Sequence, residues 1–160
     1  MRVAVGSDER TPVTDALVAE LMARGHEVVR VGPLGATGPD DPAAATQWAE
    51  VGEQVGRLVA TGDCATGVVC CWTGTGVSIA ANKVPGVRAA LCVDAGIAAG
   101  ARRWNDANVL ALGLVSLTVE GARAMLDAWF ATEPDPGEAA NIARLGPPGE
   151  TGPTEGEGAG

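Results

Sequence analysis

The fold is decided by residues 67–83, which read GVVCCWTGTGVSIAANK. The start of this stretch is an apolar run, typical of a buried strand, and the run ends at Cys71. A glycine-rich turn follows, in which Gly74 and Gly76 allow backbone N–H groups to approach a bound oxyanion closely. The stretch therefore predicts a strand that delivers Cys71 to the carboxyl edge of a sheet, and an active-site loop that leads into a helix.

The rest of the chain alternates short apolar runs with helical segments, which is the pattern of a parallel sheet wrapped by helices. Strands are predicted at Arg2–Gly6, Glu27–Val31, Gly67–Cys71, Arg88–Val93 and Asn108–Leu112. Helices are predicted at Pro12–Arg24, Ala43–Thr61, Val77–Asn82, Gly96–Arg103 and Val119–Thr132, and the first two have C-caps at Gly25 and Gly62. Ligands of such sheets bind beyond the carboxyl ends of the strands, where we expect Asp8, Cys71 and Asn105 to converge.

The composition is that of a single domain. With 160 residues, 46% of them hydrophobic, the chain can bury a core, and we place this domain at residues 1–145. Residues 146–160 are almost wholly Gly, Pro, Thr, Glu and Ala, so we expect a disordered tail. The net charge of −9 argues against a nucleic-acid partner. The absence of a long apolar span or signal peptide argues against a membrane partner and predicts a cytoplasmic protein.

The four cysteines do not have the CxxC spacing of a zinc site. Because Cys64, Cys70 and Cys92 lie in or beside apolar runs, we expect them to be small buried hydrophobes. We therefore expect no metal site, and we expect no cofactor.

Two further segments accompany the glycine-rich loop: Val5-Gly6-Ser7-Asp8, where the first strand ends, and Asn105-Asp106-Ala107-Asn108-Val109-Leu110-Ala111-Leu112-Gly113, which contains the last strand. With these segments the chain, from about Arg2 to Thr132, resembles the ribose-5-phosphate isomerase B and galactose-6-phosphate isomerase family. The resemblance implies a Rossmann-like three-layer α/β sandwich with a five-stranded parallel sheet. It also implies a sugar or sugar-phosphate substrate, and a homodimer or dimer of dimers in which Asp135–Leu145 reaches the partner's active site.

Aldose–ketose isomerisation needs a base at the carbon between carbonyl and hydroxyl, and donors for the enediolate oxygen. Cys71 fits the base, because a helix N-terminus after a glycine-rich turn stabilises a thiolate. Thr73 is placed to orient or polarise Cys71. The backbone N–H groups of Gly74, Thr75 and Gly76 are placed to hold the enediolate. The resemblance also gives this cysteine the role of proton-transferring base. The plain alternative is that Cys71 only ends a strand.

Asp8 and Asn105 are the next polar candidates, since the resemblance implies that Asp8 contacts the ring oxygen and hydroxyls of the sugar and Asn105 its reacting end. The alternatives are a helix-start cap for Asp8, with Thr11 nearby, and turn residues for Asn105 and Asn108.

The chain departs from the family at both histidines. Trp104 stands where the family has its ring-opening histidine, and Glu9 where it has a second histidine beside the sugar. His26, the one histidine of the sequence, is expected on the far side of the protein. Val77 stands where a subset of the family has a glutamate base. The resemblance therefore leaves Cys71 as the one candidate for the catalytic base.

The family's phosphate-binding positions are changed as well. Val115 replaces an arginine, and Gly137, Glu138 and Ala139 stand at a C-terminal Gly-Arg-His segment. A glutamate where an arginine holds phosphate is repulsive. Arg10 and Arg144 are the candidates to compensate.

Three tryptophans are predicted near the site, namely Trp48, Trp72 and Trp104, and they indicate a drier, aromatic cavity. The alternative is that they fill volume left by lost polar side chains.

Three functions remain open. The leading one is a cysteine-dependent isomerase for a small hydroxy-carbonyl substrate that is not ordinary ribose 5-phosphate and lacks its terminal phosphate, such as an open-chain tetrose derivative. The second is a catalytically silent binding or partner subunit, and the third is an ordinary ribose-5-phosphate isomerase.

Overall fold

A computed structural model describes residues 1–146. Its centre is a parallel sheet of five strands in the order β2-β1-β3-β5-β4. The strands are β1 (Arg2–Ser7), β2 (Glu27–Val31), β3 (Thr66–Cys71), β4 (Ala89–Leu91) and β5 (Val109–Gly113). Each corresponds to a predicted strand, and the α/β class is confirmed.

Helices cover both faces of the sheet. They are α1 (Pro12–Ala23), α2 (Trp48–Ala60), α3 (Thr75–Asn82), α4 (Ala95–Asn105), α5 (Val119–Ala131) and α6 (Ala139–Ala143). Short 3-10 turns lie at Gly32–Leu34, Pro42–Ala45 and Pro136–Glu138. The predicted helix Ala43–Thr61 therefore begins five residues late, because Pro42–Ala45 forms its own turn and Thr46 is extended, with ψ 127°.

Two apolar layers hold the helices on the sheet, which is why β3 is buried along its whole length. On one face Leu17, Leu110 and Leu126 belong to the layer under α1, α4 and α5. On the other face Val55 and Val77 belong to the layer under α2 and α3. The expected three-layer sandwich is thus the structure observed.

Helices α2 and α3 lie close together because α2 presents glycines to α3. A Cβ built on Gly52 would lie 2.7 Å from the carbonyl oxygen of Val77, and one on Gly56 would lie 3.3 Å from the carbonyl oxygen of Ala81. Trp48 lies one helical turn before Gly52, on the same side of α2. Its ring therefore reaches the first turn of α3, where a Cβ on Gly76 would be 2.9 Å from Trp48 Cε3.

The helix ends follow the sequence. Thr11 caps α1 by accepting a hydrogen bond from Thr14 N, and Gly25 and Gly62 follow α1 and α2 with φ of 81° and 80°. Both predicted C-caps are confirmed. Within residues 1–146 no helix is long and apolar enough to cross a membrane. The tail predicted at 146–160 lies, apart from Gly146, outside the described residues.

Candidate active site

The carboxyl ends of three neighbouring strands meet at one edge of the sheet. Ser7 of β1 is the register partner of Cys70 of β3, and Cys71 is the partner of Gly113 of β5. Asp8 therefore leaves the sheet beside Cys71. This much of the predicted convergence is confirmed.

The loop after Cys71 is held in place by backbone hydrogen bonds from the segment after β5. Leu114 N donates to Cys71 O over 3.0 Å, and Val115 N donates to Trp72 O over 2.9 Å. The loop then turns at Gly74 with φ 76°, a conformation that favours glycine. This fixed path places Cys71 and the start of α3 at the same carboxyl edge of the sheet.

Gly74 is the N-cap of α3, and in the described chain no side chain hydrogen-bonds at this cap. The first backbone N–H groups of a helix have no partner within the helix, and the helix macrodipole adds partial positive charge there. The N–H groups of Thr75 and Gly76 are therefore suited to an oxyanion, as the sequence predicts. This end of α3 lies directly after the cysteine.

Two hydroxyls bracket Gly74. The Oγ1 atoms of Thr73 and Thr75 lie 2.7 Å apart, and either can be the donor. Both threonines are exposed in the single chain. They supply the polar side chains of the loop next to the thiol.

The four cysteines are free and buried, and the burial predicted for Cys64, Cys70 and Cys92 is confirmed. Desolvation raises the pKa of Cys70 to about 12 and that of Cys92 to about 11. Burial also raises the pKa of Cys64. Cys71 is 5% exposed, at the end of β3. The three other thiols are thus poor thiolates, because burial disfavours their charged form.

Asp8 does not cap a helix, since Thr11 holds that role. Its Oδ1 atom is buried without a hydrogen-bond partner among residues 1–146. Desolvation raises the pKa of Asp8, and the neighbouring charge of Glu9 adds to the shift, although a backbone hydrogen bond opposes it. Glu9 itself is exposed, and its backbone N–H donates to Ser7 Oγ over 3.2 Å. A buried carboxylate oxygen without a partner is a group prepared for a ligand donor.

Asn105 and Trp104 lie elsewhere, and the predicted convergence of Asn105 with Cys71 is wrong within one chain. Both residues end α4, which runs back along the sheet, and β5 starts only after them. They therefore lie near the amino ends of β4 and β5, with the length of β5 between them and Cys71. Trp104 packs on Gly100 of its own helix and is 55% exposed.

The segment after Asn105 connects the end of α4 to the residues before β4 through side-chain hydrogen bonds and ion pairs. Asp106, at φ 44°, binds Arg88 and Arg102 over 2.9 and 3.1 Å. Asn108 Oδ1 accepts from Arg88 N, and its Nδ2 donates to Gly86 O. The turn interpretation of Asn108 is therefore the correct one.

The tryptophans do not share one cavity in the single chain. Trp48 covers the start of α3, Trp72 is 60% exposed on the loop, and Trp104 borders a cavity of about 580 Å³ along β4. Trp129 is core, as expected, and donates to Thr66 Oγ1 over 3.1 Å. His26 packs on Phe130 near the start of β2, far from the thiol.

A separate cavity of about 380 Å³ opens beside the loop at the carboxyl edge, and its lining includes Thr73, Val93, Gly113, Val115 and Ser116. Sequence reasoning missed Val93 and Ser116, because no motif marks them and only packing brings them to Thr73. Val115, at the family's arginine position, is exposed here. Arg10 pairs with Asp15 over 2.9 Å, and Glu138 accepts from Asn141 Nδ2.

Comparison with known proteins agrees with this architecture. A family model described as Ribose/Galactose Isomerase matches residues 3–145. The chain belongs to this sugar-phosphate isomerase family. Ribose-5-phosphate isomerase B of Escherichia coli is 38% identical over 117 residues, 73% of this chain and 74% of that protein. D-erythrulose-4-phosphate isomerase 2 of Mycolicibacterium smegmatis is 33% identical over 146 residues, 91% of this chain and 93% of that one.

Solved structures place the fold in the same family. Ribose-5-phosphate isomerase B of Clostridium thermocellum superposes with a TM-score of 0.80 at 34% identity. The superposition covers 91% of the present chain and 95% of the Clostridium thermocellum chain. The type B enzyme of Trypanosoma brucei superposes with a TM-score of 0.77 at 31% identity, over 90% and 95% of the two chains. The Rossmann-like sandwich is therefore shared with solved isomerases.

Proposed function

We propose that this protein is an aldose–ketose isomerase that uses Cys71 as its base and acts on an open-chain four-carbon sugar phosphate. Substrates of this class interconvert as a tetrulose 4-phosphate and the matching tetrose 4-phosphate. The open-chain tetrose derivative expected from the sequence is kept, but the expected lack of a terminal phosphate is replaced here by a phosphate on O4. A relative that covers 91% of the chain is named a D-erythrulose-4-phosphate isomerase, which supports this choice.

One observation carries the proposal: Trp104 stands where the family resemblance implies a ring-opening histidine. An indole N–H is a donor without a titratable proton at neutral pH, so it cannot act as general acid for a ring oxygen. A tetrose esterified at O4 has no hydroxyl with which to form a five-membered ring. Such a substrate is open-chain already and needs no ring-opening acid.

The chemistry follows from the loop. The Cys71 thiolate removes a proton from the carbon beside the carbonyl, and the electron pair of that C–H bond forms the enediolate. The N–H groups at the start of α3 and the hydroxyl of Thr73 stabilise its oxygens. The Cys71 thiol then returns the proton to the neighbouring carbon. The carbonyl moves by one carbon, and no atoms are gained or lost.

Arg10 is the cation that can hold the phosphate from the β1 side. It lies two residues after Asp8, and its ion pair with Asp15 is exposed on both partners. Exposed pairs of this kind contribute about 0–1 kcal/mol, so a phosphate can replace the carboxylate at little cost. Replacement of Arg10 should therefore raise KM more than it lowers kcat.

A second copy of the chain completes the site in this proposal. β4 is an edge strand of only three residues, and exposed apolar side chains surround it: Ile79, Val93, Ile97, Trp104 and Leu145. Exposed apolar side chains in such number around an edge strand are typical of a subunit interface. Asn105 cannot reach the Cys71 of its own chain, and a two-fold partner can bring it to the other subunit's loop.

The test compares D-erythrulose 4-phosphate with ribose 5-phosphate on wild type, Cys71→Ala and Trp104→His. We expect wild type to isomerise the tetrulose phosphate, and Cys71→Ala to lose roughly 10²- to 10⁴-fold in kcat. Trp104→His should gain activity on ribose 5-phosphate. Efficient wild-type turnover of ribose 5-phosphate would mean an ordinary isomerase instead, and turnover of neither sugar would favour the silent subunit.

A further inference from the structure

The hydroxyls of Thr73 and Thr75 in the active loop can pass a proton between them. The proton transfer between substrate carbons by Cys71 does not use this ability. Thr73 and Thr75 lie on either side of Gly74, and their Oγ1 atoms are 2.7 Å apart, the distance of a strong O–H···O bond. A hydroxyl both donates and accepts. The pair can therefore accept a proton at one oxygen while it releases a proton at the other.

The backbone around the pair is fixed. Gly74 packs so closely on β5 that a Cβ would lie 2.7 Å from the carbonyl carbon of Leu112. A Cβ on Gly113 would likewise lie 2.6 Å from Thr73 O. Thr75 is the first residue of α3, whose Ser78 N–H donates to Gly74 O. The two hydroxyls are thus carried on a rigid turn, which is what a catalytic group requires.

Aldose–ketose isomerisation moves two protons, one between carbons and one between oxygens. The carbonyl oxygen must gain a proton and the neighbouring hydroxyl oxygen must lose one. Cys71 serves the carbons only. The two substrate oxygens lie side by side in a cis-enediolate, at a spacing close to that of the two threonine oxygens.

We propose that Thr73 and Thr75 form a proton relay between the two substrate oxygens, which makes Thr75 a second catalytic hydroxyl of the loop. This inference rests on the proposed isomerase function. One threonine donates its proton to the carbonyl oxygen and takes a proton from the other threonine. The second threonine is reprotonated by the substrate hydroxyl. Both threonines end unchanged, and one proton has moved from one substrate oxygen to the other.

Exposure favours the Thr73 and Thr75 hydroxyls over a third hydroxyl nearby, that of Ser78. Ser78 lies one helical turn further along α3 and is buried, so it does not face the open end of the loop. Thr75 is exposed beside Thr73, which itself lines the cavity at the carboxyl edge. The threonine pair thus combines a mutual hydrogen bond with access to that cavity through Thr73.

The test uses Thr75→Val, which keeps the shape but not the hydroxyl, and Thr75→Ser, which keeps the hydroxyl. Two rates are measured with D-erythrulose 4-phosphate in D₂O: isomerisation, and exchange of the substrate C–H with solvent. We expect Thr75→Val to lower kcat at least about tenfold, the loss of one neutral hydrogen bond, at constant KM. Exchange should fall far less, because Cys71 still removes the carbon proton. Thr75→Ser should restore most of kcat.

The outcomes separate the relay from a structural role. If the valine variant loses exchange and isomerisation equally, or loses neither, the relay is wrong. Alkylation of Cys71 at the wild-type rate in the valine variant shows that the loop is intact. If valine disturbs the fold, Thr75→Ala, which also removes the hydroxyl, gives the same comparison. A wild-type protein that neither exchanges nor isomerises overturns the proposed function itself, and is recognised before any variant is made.

Discussion

Gly74 of the active loop touches the backbone of Leu112 in β5. A Cβ on Gly74 would lie 2.7 Å from the Leu112 carbonyl carbon and 2.8 Å from Gly113 N. Backbone atoms cannot move aside as a flexible side chain can. The loop that carries Thr73 is therefore positioned by direct contact with the strand beside it.

This contact predicts a large cost for Gly74→Ala. The φ of 76° alone costs an alanine roughly 1–2 kcal/mol, and the overpacking against β5 adds roughly 1–3 kcal/mol. Gly62→Ala is the matched control, because Gly62 has φ 80° and a Cβ added there would have no atom within 4 Å among the described residues. Thermal unfolding should show a larger fall in Tm for Gly74→Ala. Equal falls would mean that the contact with Leu112 adds nothing to the strain.

Iodoacetamide should distinguish Cys71 from the other thiols. Burial raises the pKa of Cys70 to about 12 and that of Cys92 to about 11, so few of these thiols are ionised near neutral pH. We expect the Cys71 peptide to be labelled first, and labelling to slow when D-erythrulose 4-phosphate is present. Peptide mass spectrometry over a time course measures both. Protection of all four cysteines to the same degree contradicts a thiolate base at Cys71.

The buried carboxyl of Asp8 predicts a gain of stability at neutral pH when it is replaced. Desolvation, the largest cause, raises the folded-state pKa of Asp8 above its usual 3.8. The ionised form is therefore disfavoured in the folded protein, and the cost is present at pH 7 and disappears as the pH falls through the raised pKa. Asp8→Asn should raise Tm at pH 7 but not near pH 3.5, and should lower turnover. A lower Tm at pH 7 would show that the Asp8 carboxylate stabilises the fold.

The sheet could be predicted because the relevant signals are local. Glu27–Val31 forms the strand expected for it, and β3 ends at Cys71 as expected. β4 is shorter than the predicted Arg88–Val93, since the Asn108 side chain binds Arg88 N and Val93 is exposed. Apolar periodicity finds a strand but does not show where tertiary contacts end it.

The site could be predicted only in part, because its geometry depends on nonlocal packing. Cys71 and Asp8 follow strands, so their shared edge follows from the sheet alone. Asn105 ends α4, which runs from the carboxyl edge of the sheet back to the amino edge. The direction of α4 therefore sets the distance between Asn105 and Cys71. The spacing of Thr73 and Thr75 depends on the left-handed turn at Gly74, which the sequence allows without specifying.

The apolar surface around β4 predicts a homodimer, in which a second copy covers Ile97 and Trp104. Ile97 is 49% exposed on α4, so Ile97→Asp should place a charge in the interface and weaken the dimer. Met22→Asp is the matched control, because Met22 is 53% exposed on α1, away from β4. Light scattering at micromolar concentration should give a dimer for wild type and Met22→Asp and a smaller mass for Ile97→Asp. If Asn105 acts across the interface, isomerase activity falls together with the mass. A monomeric wild type that isomerises its substrate would show instead that one chain contains the complete site.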